Sequence, residues 1–546
     1  MSSVLWWFVS RPAIGLLKYF ELPSPVDNNT LLIARGYSMI LHPPTRCQRT
    51  TTSRLYPPST PTTSSPIQSF AMGVVPTETT GSQRANHRSA DAIVVGAGIF
   101  GTAIAIALAR QNRSVFLLER SLKEPDRIVG ELLQPGGVKA LESLGLASCL
   151  DDIDSVPVRG YEVFYHDQAV NIPYPADNPS EHIPHPQRPE GRCFHHGRFV
   201  RKLREAAAKE PNIQLVETLV TSLVMTEDAD QVLGVQCSTK GGSDCFFAPL
   251  SIVADGYKSQ FRSRASRKVE SRSKFWALEL QDAVLPSPGF GHVLLGNFSP
   301  VLLYQIGSRE TRALFNVPEG HEYAKSTQGV ARYIKNEVLP SAPASIQPSL
   351  AASLEKGRLR CMPNSFLPAS KNRTPGVLVA GDALNMRHPL TGGGMTVALN
   401  DVVLLSELLH PSQTPDFEDV AHVLHQLSVF HWRRKRHTFV INILAQALYS
   451  LFAADSYYLS VLRQGCFEYF KRGGICVEDP ASLLGGLAKK PLLLVYHFFA
   501  VAFCSIWYLF LSRPLVLLPL TLVDSVVVFI MACWVLFPYI AMELAG

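Results

Sequence analysis

This chain offers little to metal chemistry or disulfide scaffolding. Its ten cysteines are scattered, with no CxxC pair and no Cys/His spacing of the kind that ligates zinc. They read as reduced thiols of a protein facing the cytosol, and no disulfide framework is implied. Charge is also sparse: 18% of the 546 residues are charged, and the net charge is +6. With no repeated basic pattern interleaved with aromatics, that balance gives no footing for nucleic-acid binding. No long internal repeat is present. A second dinucleotide fingerprint is missing as well, because Gly289 and Gly291 have the wrong downstream spacing and no strand–turn–helix context. The C-terminus lacks charge: residues 492–511 carry none, and residues 515–536 carry only Asp524.

That last absence has a use. Each piece is near the ~20 residues needed to cross a bilayer, and soluble helices keep a polar face that these lack. Arg513 and Pro514 between them favour a kinked hairpin. Whether it crosses the bilayer or lies in one leaflet stays open. At the other end, residues 1–20 are apolar and aromatic but broken by Arg11, Pro12 and Lys18. They suit an interfacial or signal-like segment better than a span. Residues 43–66 are mostly Ser, Thr and Pro, the composition of a disordered arm or a transit-like extension.

The chemistry begins at residue 91. An apolar run over 92–95 is followed at once by Gly96, Gly98 and Gly101, then an Ala-rich helical stretch over 102–110, then a second strand over 114–118 closed by Glu119. That is the order of a βαβ unit holding the ADP half of a dinucleotide. Gly96 permits the tight turn, Gly98 lets a pyrophosphate approach the backbone, and Gly101 lets the helix lie close to the strand. The helix start offers free N–H groups and partial positive charge to phosphates. Glu119 can accept from ribose hydroxyls.

Two further turns lie downstream. A strand over 250–253 ends in Asp255-Gly256, a carboxylate at the edge where ligands of such sheets sit. A strand over 376–380 leads to Gly381-Asp382, then to Gly392, Gly393, Gly394 and Met395 at the start of a helix over 396–409. Asp382 sits where a carboxylate can bind ribityl hydroxyls. The glycine run leaves backbone N–H groups facing the O2 and N1 edge of an isoalloxazine ring. Between these turns, residues 274–317 are rich in alternating apolar residues, among them Phe275, Trp276, Leu278, Leu280, Val293, Leu302, Tyr304 and Phe315. They suit a sheet that is half core and half apolar pocket, and Pro389 and Leu390 suit its floor.

Four stretches carry a resemblance: LERSLKEPDRIVGELLQPGG over 118–137, FHHGRF over 194–199, LLYQI over 302–306, and GDALNMRHPLTGGGMTV over 381–397. The chain resembles the FAD-dependent monooxygenases of the aromatic-hydroxylase class, and within them the squalene epoxidase (squalene monooxygenase) family. The resemblance runs from about residue 90 to the C-terminal apolar pair and leaves out residues 1–89.

It implies an α/β fold in which a Rossmann-like FAD-binding domain with GxGxxG, DG and GD motifs joins a mixed β-sheet substrate domain and a C-terminal helical membrane anchor. The expected division is an extension over 1–89, FAD-binding segments over 90–270 and 371–425, a substrate domain over 271–370, a helical region over 426–490 and anchoring helices over 491–546. Among site residues the resemblance places Ile99 and Phe100 at the phosphate turn and Glu119 and Arg120 at the adenosine ribose. It places Arg127 and Leu132 beside the flavin, Arg204 and Val220 along FAD, and Asp382 and Met395 at the ribityl chain and ring edge. Tyr161 matches a tyrosine important for activity.

The implied reaction is epoxidation of squalene to 2,3-oxidosqualene with O2, through a flavin C4a-hydroperoxide, in sterol (ergosterol) or triterpenoid synthesis. Such chemistry asks the protein to exclude water and hold an alkene by apolar shape. With one dinucleotide site, electrons come from NADPH visiting directly or through a partner, and the resemblance implies NADPH–cytochrome P450 reductase. The basic run over 432–437 could dock an acidic reductase surface or anionic lipid, although such a run is usually a solvated helix face. The expected place is the endoplasmic reticulum membrane, catalytic part toward the cytosol, with lipid droplets as the alternative. A halogenase is disfavoured by the missing WxWxIP motif; a polyprenyl reductase or a non-catalytic flavoprotein scaffold would share much of the pattern.

Overall fold

The structure, a computed structural model, describes residues 88–176, 188–239, 242–262 and 267–545. The expectations for residues 1–20 and 43–66 lie outside them.

A parallel sheet of five strands forms the first layer, in the order Val377–Val379, Leu250–Val253, Ala92–Val95, Val115–Glu119, Ile213–Glu217. Numbered along the chain, that order is 3-2-1-4-5 from the far edge, so it reverses between Ala92–Val95 and Leu250–Val253. Ligands of doubly wound sheets sit beyond the carboxyl ends of the strands at such a reversal. The strands are continuous apolar runs because both faces are covered. Ala92, Val94, Leu117 and Ile252 face the helices Ile99–Ala109 and Gly394–Leu408. Ile93, Val95, Phe116 and Leu118 face a four-stranded sheet containing Leu219–Met225 and Val232–Thr239.

A mixed sheet of seven strands forms the second layer, in the order Arg360–Phe366, Glu270–Gln281, Glu310–Pro318, Val301–Gln305, Gly291–Leu295, Gly160–Tyr165, Gln168–Pro173. Its pairings are antiparallel except that between Gly291–Leu295 and Gly160–Tyr165. The period-two alternation of residues 274–317 divides as strands must. Trp276, Leu278, Leu280, Val301 and Phe315 pack against the helices Thr327–Tyr333 and Gln347–Glu355. Phe275, Val293, Leu302, Tyr304 and Leu314 lie on the other face, with Tyr161 and Val163.

Two expected boundaries shift. The hairpin at 160–173, placed by sequence with the nucleotide-binding segment, completes the seven-stranded sheet instead, because its apolar face is the neighbour of Gly291–Leu295. The division at 425/426 falls inside one helix, Val420–Ala453, which then turns through 112° into Tyr457–Phe470.

The apolar C-terminal pieces are helices Pro491–Ser512 and Leu518–Leu544, each long and apolar enough to cross a membrane. They form a hairpin docked along the rest of the fold. Gly465 lies so close to Ser505 that a Cβ there would overlap it. Asp524 pairs with Arg513 at 2.7 Å and accepts from the Tyr458 hydroxyl at 3.2 Å. Near the far end of the second helix Asn442 donates to Glu543 at 2.9 Å. Asp524, the one charge of residues 515–536, is therefore paired with the arginine at the kink, while Leu515, Val516 and Trp534 remain 86%, 89% and 74% exposed.

Candidate functional site

The glycine turn does what its residues allow. Gly96 adopts φ +102°, and a Cβ there would meet the Ala254 carbonyl oxygen at 2.6 Å, so the turn is packed backbone to backbone across the sheet's reversal point. A Cβ on Gly101 would overlap the Gly96 carbonyl. Gly98 differs: a Cβ there would meet nothing within 4 Å. It borders a cleft enclosing about 1470 Å³ of empty space between the two large sheets, open solvent at the mouth included.

At the cleft's nucleotide wall stand Ile99, Phe100, Arg127, Gly256, Asp382, Gly394 and Met395. Arg127 lies 3.9 Å from Asp382, stacks over Tyr257 at 5.6 Å, and keeps a buried Nε with no partner. Asp255 accepts from the Gln260 N–H at 3.1 Å, its other oxygen is buried without a partner, and burial raises its pKa. At the opposite wall stand Tyr161, Val293, Leu302, Leu303, Tyr304, Leu314 and Met362, with Leu132, Pro389 and Leu390 between. One wall offers backbone, charge and unfilled hydrogen-bonding groups; the other is mainly apolar, with His292 and Glu131 among its few polar members.

Other expected residues sit behind this cleft. Glu119 accepts from the Ala97 N–H at 2.7 Å and lies 3.4 Å from Arg204. Arg204 donates to the carbonyls of Ala97, Ser121 and Lys123. The pair thus ties the glycine turn to the loop after the second strand. Arg120 is exposed beside them. Val220 is buried in the cluster with Val95, Phe116 and Leu118 and does not line the cleft. Gly393 is likewise outside the lining; a Cβ there would overlap Ile441 of the helix Val420–Ala453. The glycine run over 392–394 is therefore demanded partly by helix packing, which no local pattern reveals.

Tyr161 is buried apart from the face it turns to the cleft, and burial raises its pKa, so it stands as a neutral phenol. Its oxygen accepts from Gln134 Nε2, and its hydroxyl lies 3.4 Å from the Thr391 carbonyl. Gln134 also donates to that carbonyl at 2.6 Å and accepts from the Tyr174 hydroxyl at 2.5 Å. One amide thereby fixes two tyrosines and the loop before the glycine run.

Sequence reasoning missed Gln134, although it lies inside the stretch 118–137. It also missed Glu131, which lines the cleft and takes two hydrogen bonds of 2.8 Å from Arg312. Burial raises the Glu131 pKa and Arg312 opposes that. Arg262 was missed too: it donates to Gly256, Tyr257, Asp382 and Ala383, clamping the DG turn to the GD turn. His196, in the stretch 194–199, is held neutral with a pKa near 3 by burial and by Arg127.

Two residues of the basic run, Arg434 and His437, prove to be internal. Arg434 pairs with Asp401 at 2.7 and 3.0 Å, His437 reaches the same carboxylate at 2.9 Å, and Arg433 forks onto Glu407. Burial alone would raise Asp401, but Arg434 and His437 overcome it and bring its pKa to about 2. Of the expected docking surface, Trp432 and Arg436 stay exposed. The sequence could not show that Asp401, on the neighbouring helix, would claim two of these side chains.

No group of three or more His, Cys, Asp or Glu that could hold a metal ion occurs among the described residues. The cleft instead fits a flavin dinucleotide. Gly98 leaves a cradle at a helix start and Arg127 keeps an unfilled polar atom beside Asp382, whereas the expected Asp255 is not among the residues lining the cleft. Comparisons agree in kind. The squalene epoxidase family model matches residues 247–523. Squalene epoxidase erg1 of Aspergillus fumigatus is 55% identical over 466 residues, covering 84% of this chain and 95% of its own. The squalene monooxygenase of Mus musculus is 44% identical, over 83% of this chain and 78% of its own. Among solved structures, p-nitrophenol 4-monooxygenase PnpA of Pseudomonas putida superposes with TM-score 0.57 at 17% identity, over 74% of this chain and all of its own. That last likeness concerns the fold.

Proposed function

The chain belongs to the squalene epoxidase family, and from that premise we propose that it converts squalene to 2,3-oxidosqualene with O2, using FAD in the cleft between its two large sheets. The observation that carries this reading is the pairing of opposite walls: a glycine- and charge-lined nucleotide wall faces an apolar wall built from the seven-stranded sheet. When bound, FAD supplies the activation of O2 and the transfer of one oxygen atom.

The chain's own task is placement and exclusion. Gly98 and the helix start at Ile99 take the pyrophosphate, with Gly96 and Gly101 holding the turn. Glu119, Arg120 and Arg204 form the adenosine end, Arg127 and Asp382 the ribityl region. Gly394 and Met395 stand at the ring. A C30 hydrocarbon offers no polar handle, so Leu302, Tyr304, Leu314, Pro389 and Leu390 recognise it by shape. Tyr161, held by Gln134, keeps a neutral hydroxyl at the meeting of the two walls, where it orients the alkene end against the ring. Stretches 90–270 and 371–425, less the hairpin at 160–173, form the FAD-binding unit; that hairpin joins 271–370 as the substrate unit.

The C-terminal hairpin associates the protein with a membrane. Its docking along the catalytic unit, with Leu515, Val516 and Trp534 exposed, supports a placement in one leaflet of the endoplasmic reticulum membrane with the catalytic unit toward the cytosol. Squalene then enters from the bilayer without crossing water. Electrons come from an NADPH–cytochrome P450 reductase. The test is to purify the protein with FAD, supply NADPH, the reductase and squalene, and look for 2,3-oxidosqualene by mass spectrometry; a yellow protein that leaves squalene unchanged under these conditions would defeat the proposal.

A further inference from the structure

Arg387 lines the cleft and is buried. Its Nη2 donates to the Asn385 backbone oxygen and to Asn385 Oδ1, both at 2.9 Å, and its Nη1 to the Gly394 carbonyl at 3.4 Å. All three acceptors are neutral. Its Nε is buried with no partner, and among the described residues no carboxylate lies within 4 Å of the guanidinium. Two other buried arginines of the same region are answered differently: Arg434 by Asp401 and Arg312 by Glu131. Asp382, Asp401 and Glu543 act on Arg387 only from beyond ion-pair distance, so this buried cation has no counter-charge in contact, a costly arrangement. Such a group persists where a ligand supplies the missing charge.

The position says which charge. Gly394 begins the fifteen-residue helix Gly394–Leu408 and also lines the cleft. A Cβ on Gly394 would find only Arg387 Nη1 nearby, at 4.0 Å. A full positive charge and the positive end of a helix therefore converge on one spot of the cleft wall. Gly98, where a pyrophosphate would lie, belongs to a different helix start.

We infer that Arg387 is the counter-charge for the negative charge that two-electron reduction leaves on the N1–C2 carbonyl edge of the bound flavin. The inference rests on the FAD reading above and adds to it a residue that sets the cofactor's redox balance. The balance is two electrons from the reductase and one proton, the proton going to N5. One negative charge then remains on the ring edge. Arg387 favours that state over the neutral oxidised one, and so raises the reduction potential.

The experiment uses the purified holoprotein. The midpoint potential is measured by dithionite titration against a reference dye, alongside the affinity for oxidised FAD by fluorescence. Arg387→Gln is expected to lower the equilibrium constant for two-electron reduction roughly tenfold or more, which for a two-electron couple is about 30 mV more negative, with little change in affinity for oxidised FAD. Arg387→Lys keeps the charge and most of the potential. Asn385→Asp, isosteric and within 2.9 Å of the guanidinium, supplies a carboxylate and lowers the potential without removing the arginine; it decides the matter should Arg387→Gln fail to fold. An unmoved potential in the folded variants overturns the inference. So does equal weakening of oxidised and reduced FAD, since that would put Arg387 against the pyrophosphate. Colourless unmodified protein would overturn the FAD reading and this inference together; yellow protein with an unmoved potential in the variants overturns this inference alone.

Discussion

The two walls of the cleft are built on different principles. The nucleotide wall works through backbone: Gly96 and Gly101 pack main chain on main chain, and Gly98 leaves a gap that side chains do not fill. The sheet wall works through side chains: Leu302, Tyr304, Leu314 and Tyr161 fill space and leave an apolar face. A backbone wall tolerates almost no substitution at its ligand-facing position but contributes little to stability there. A side-chain wall is the reverse, since each residue is both core and pocket. Substitutions should separate binding from stability on one wall and couple them on the other.

The largest effect expected is at Gly98. Because nothing lies within 4 Å of a Cβ at that position, Gly98→Val should fold and yet lose FAD entirely. Absorbance at the flavin bands against unchanged circular dichroism checks this; a yellow variant would break the distinction. Next is Tyr161→Phe, which keeps FAD and the ring packing but loses the hydroxyl. Its turnover should fall roughly 10-fold to 100-fold, the cost of misplacing reacting groups, with flavin content unchanged. Full activity would remove Tyr161 from the site.

On the sheet wall, Leu302→Ala should lower stability by about 2–4 kcal/mol and raise KM for squalene several-fold together, because one side chain serves both roles. A loss of stability with unaltered KM would place Leu302 in the core only.

A last effect, felt only below neutral pH, comes from two histidines. His196 and His388 are buried with pKa values near 3, both lowered first of all by burial. Between pH 3 and 6.5 the unfolded chain binds protons that the folded one refuses. Stability should therefore be flat above pH 6.5 and fall below it, by about 1.4 kcal/mol per pH unit for each histidine. His196→Phe should reduce that slope in a urea titration series. An unchanged slope would show that His196 protonates in the folded state.

The nucleotide wall was the more legible in the sequence, for a physical reason. Its requirements are local: a strand, glycines at fixed spacing and a helix start fall within one short stretch, and helix Ile99–Ala109 begins directly after Gly98, with Gly101 in its first turn. The sheet wall was legible only as alternation over residues 274–317, without its partners. The hairpin at 160–173 joins it across more than a hundred residues of chain, through the parallel pairing of Tyr161 with Gly291. Gln134, Glu131 and Arg262 escaped notice because each acts by reaching a distant segment, and single polar residues carry no period. The basic run over 432–437 was read as surface because its counter-charge, Asp401, lies on another helix. The paired apolar helices were plain from composition alone, since forty residues with so little charge leave few alternatives.

The most direct test of the two-wall account is turnover of squalene under ¹⁸O2 by the purified, FAD-loaded protein with NADPH and the reductase. The account predicts 2,3-oxidosqualene carrying one labelled oxygen atom. Reduced or unlabelled product, or no product from a protein that holds its flavin, would contradict it.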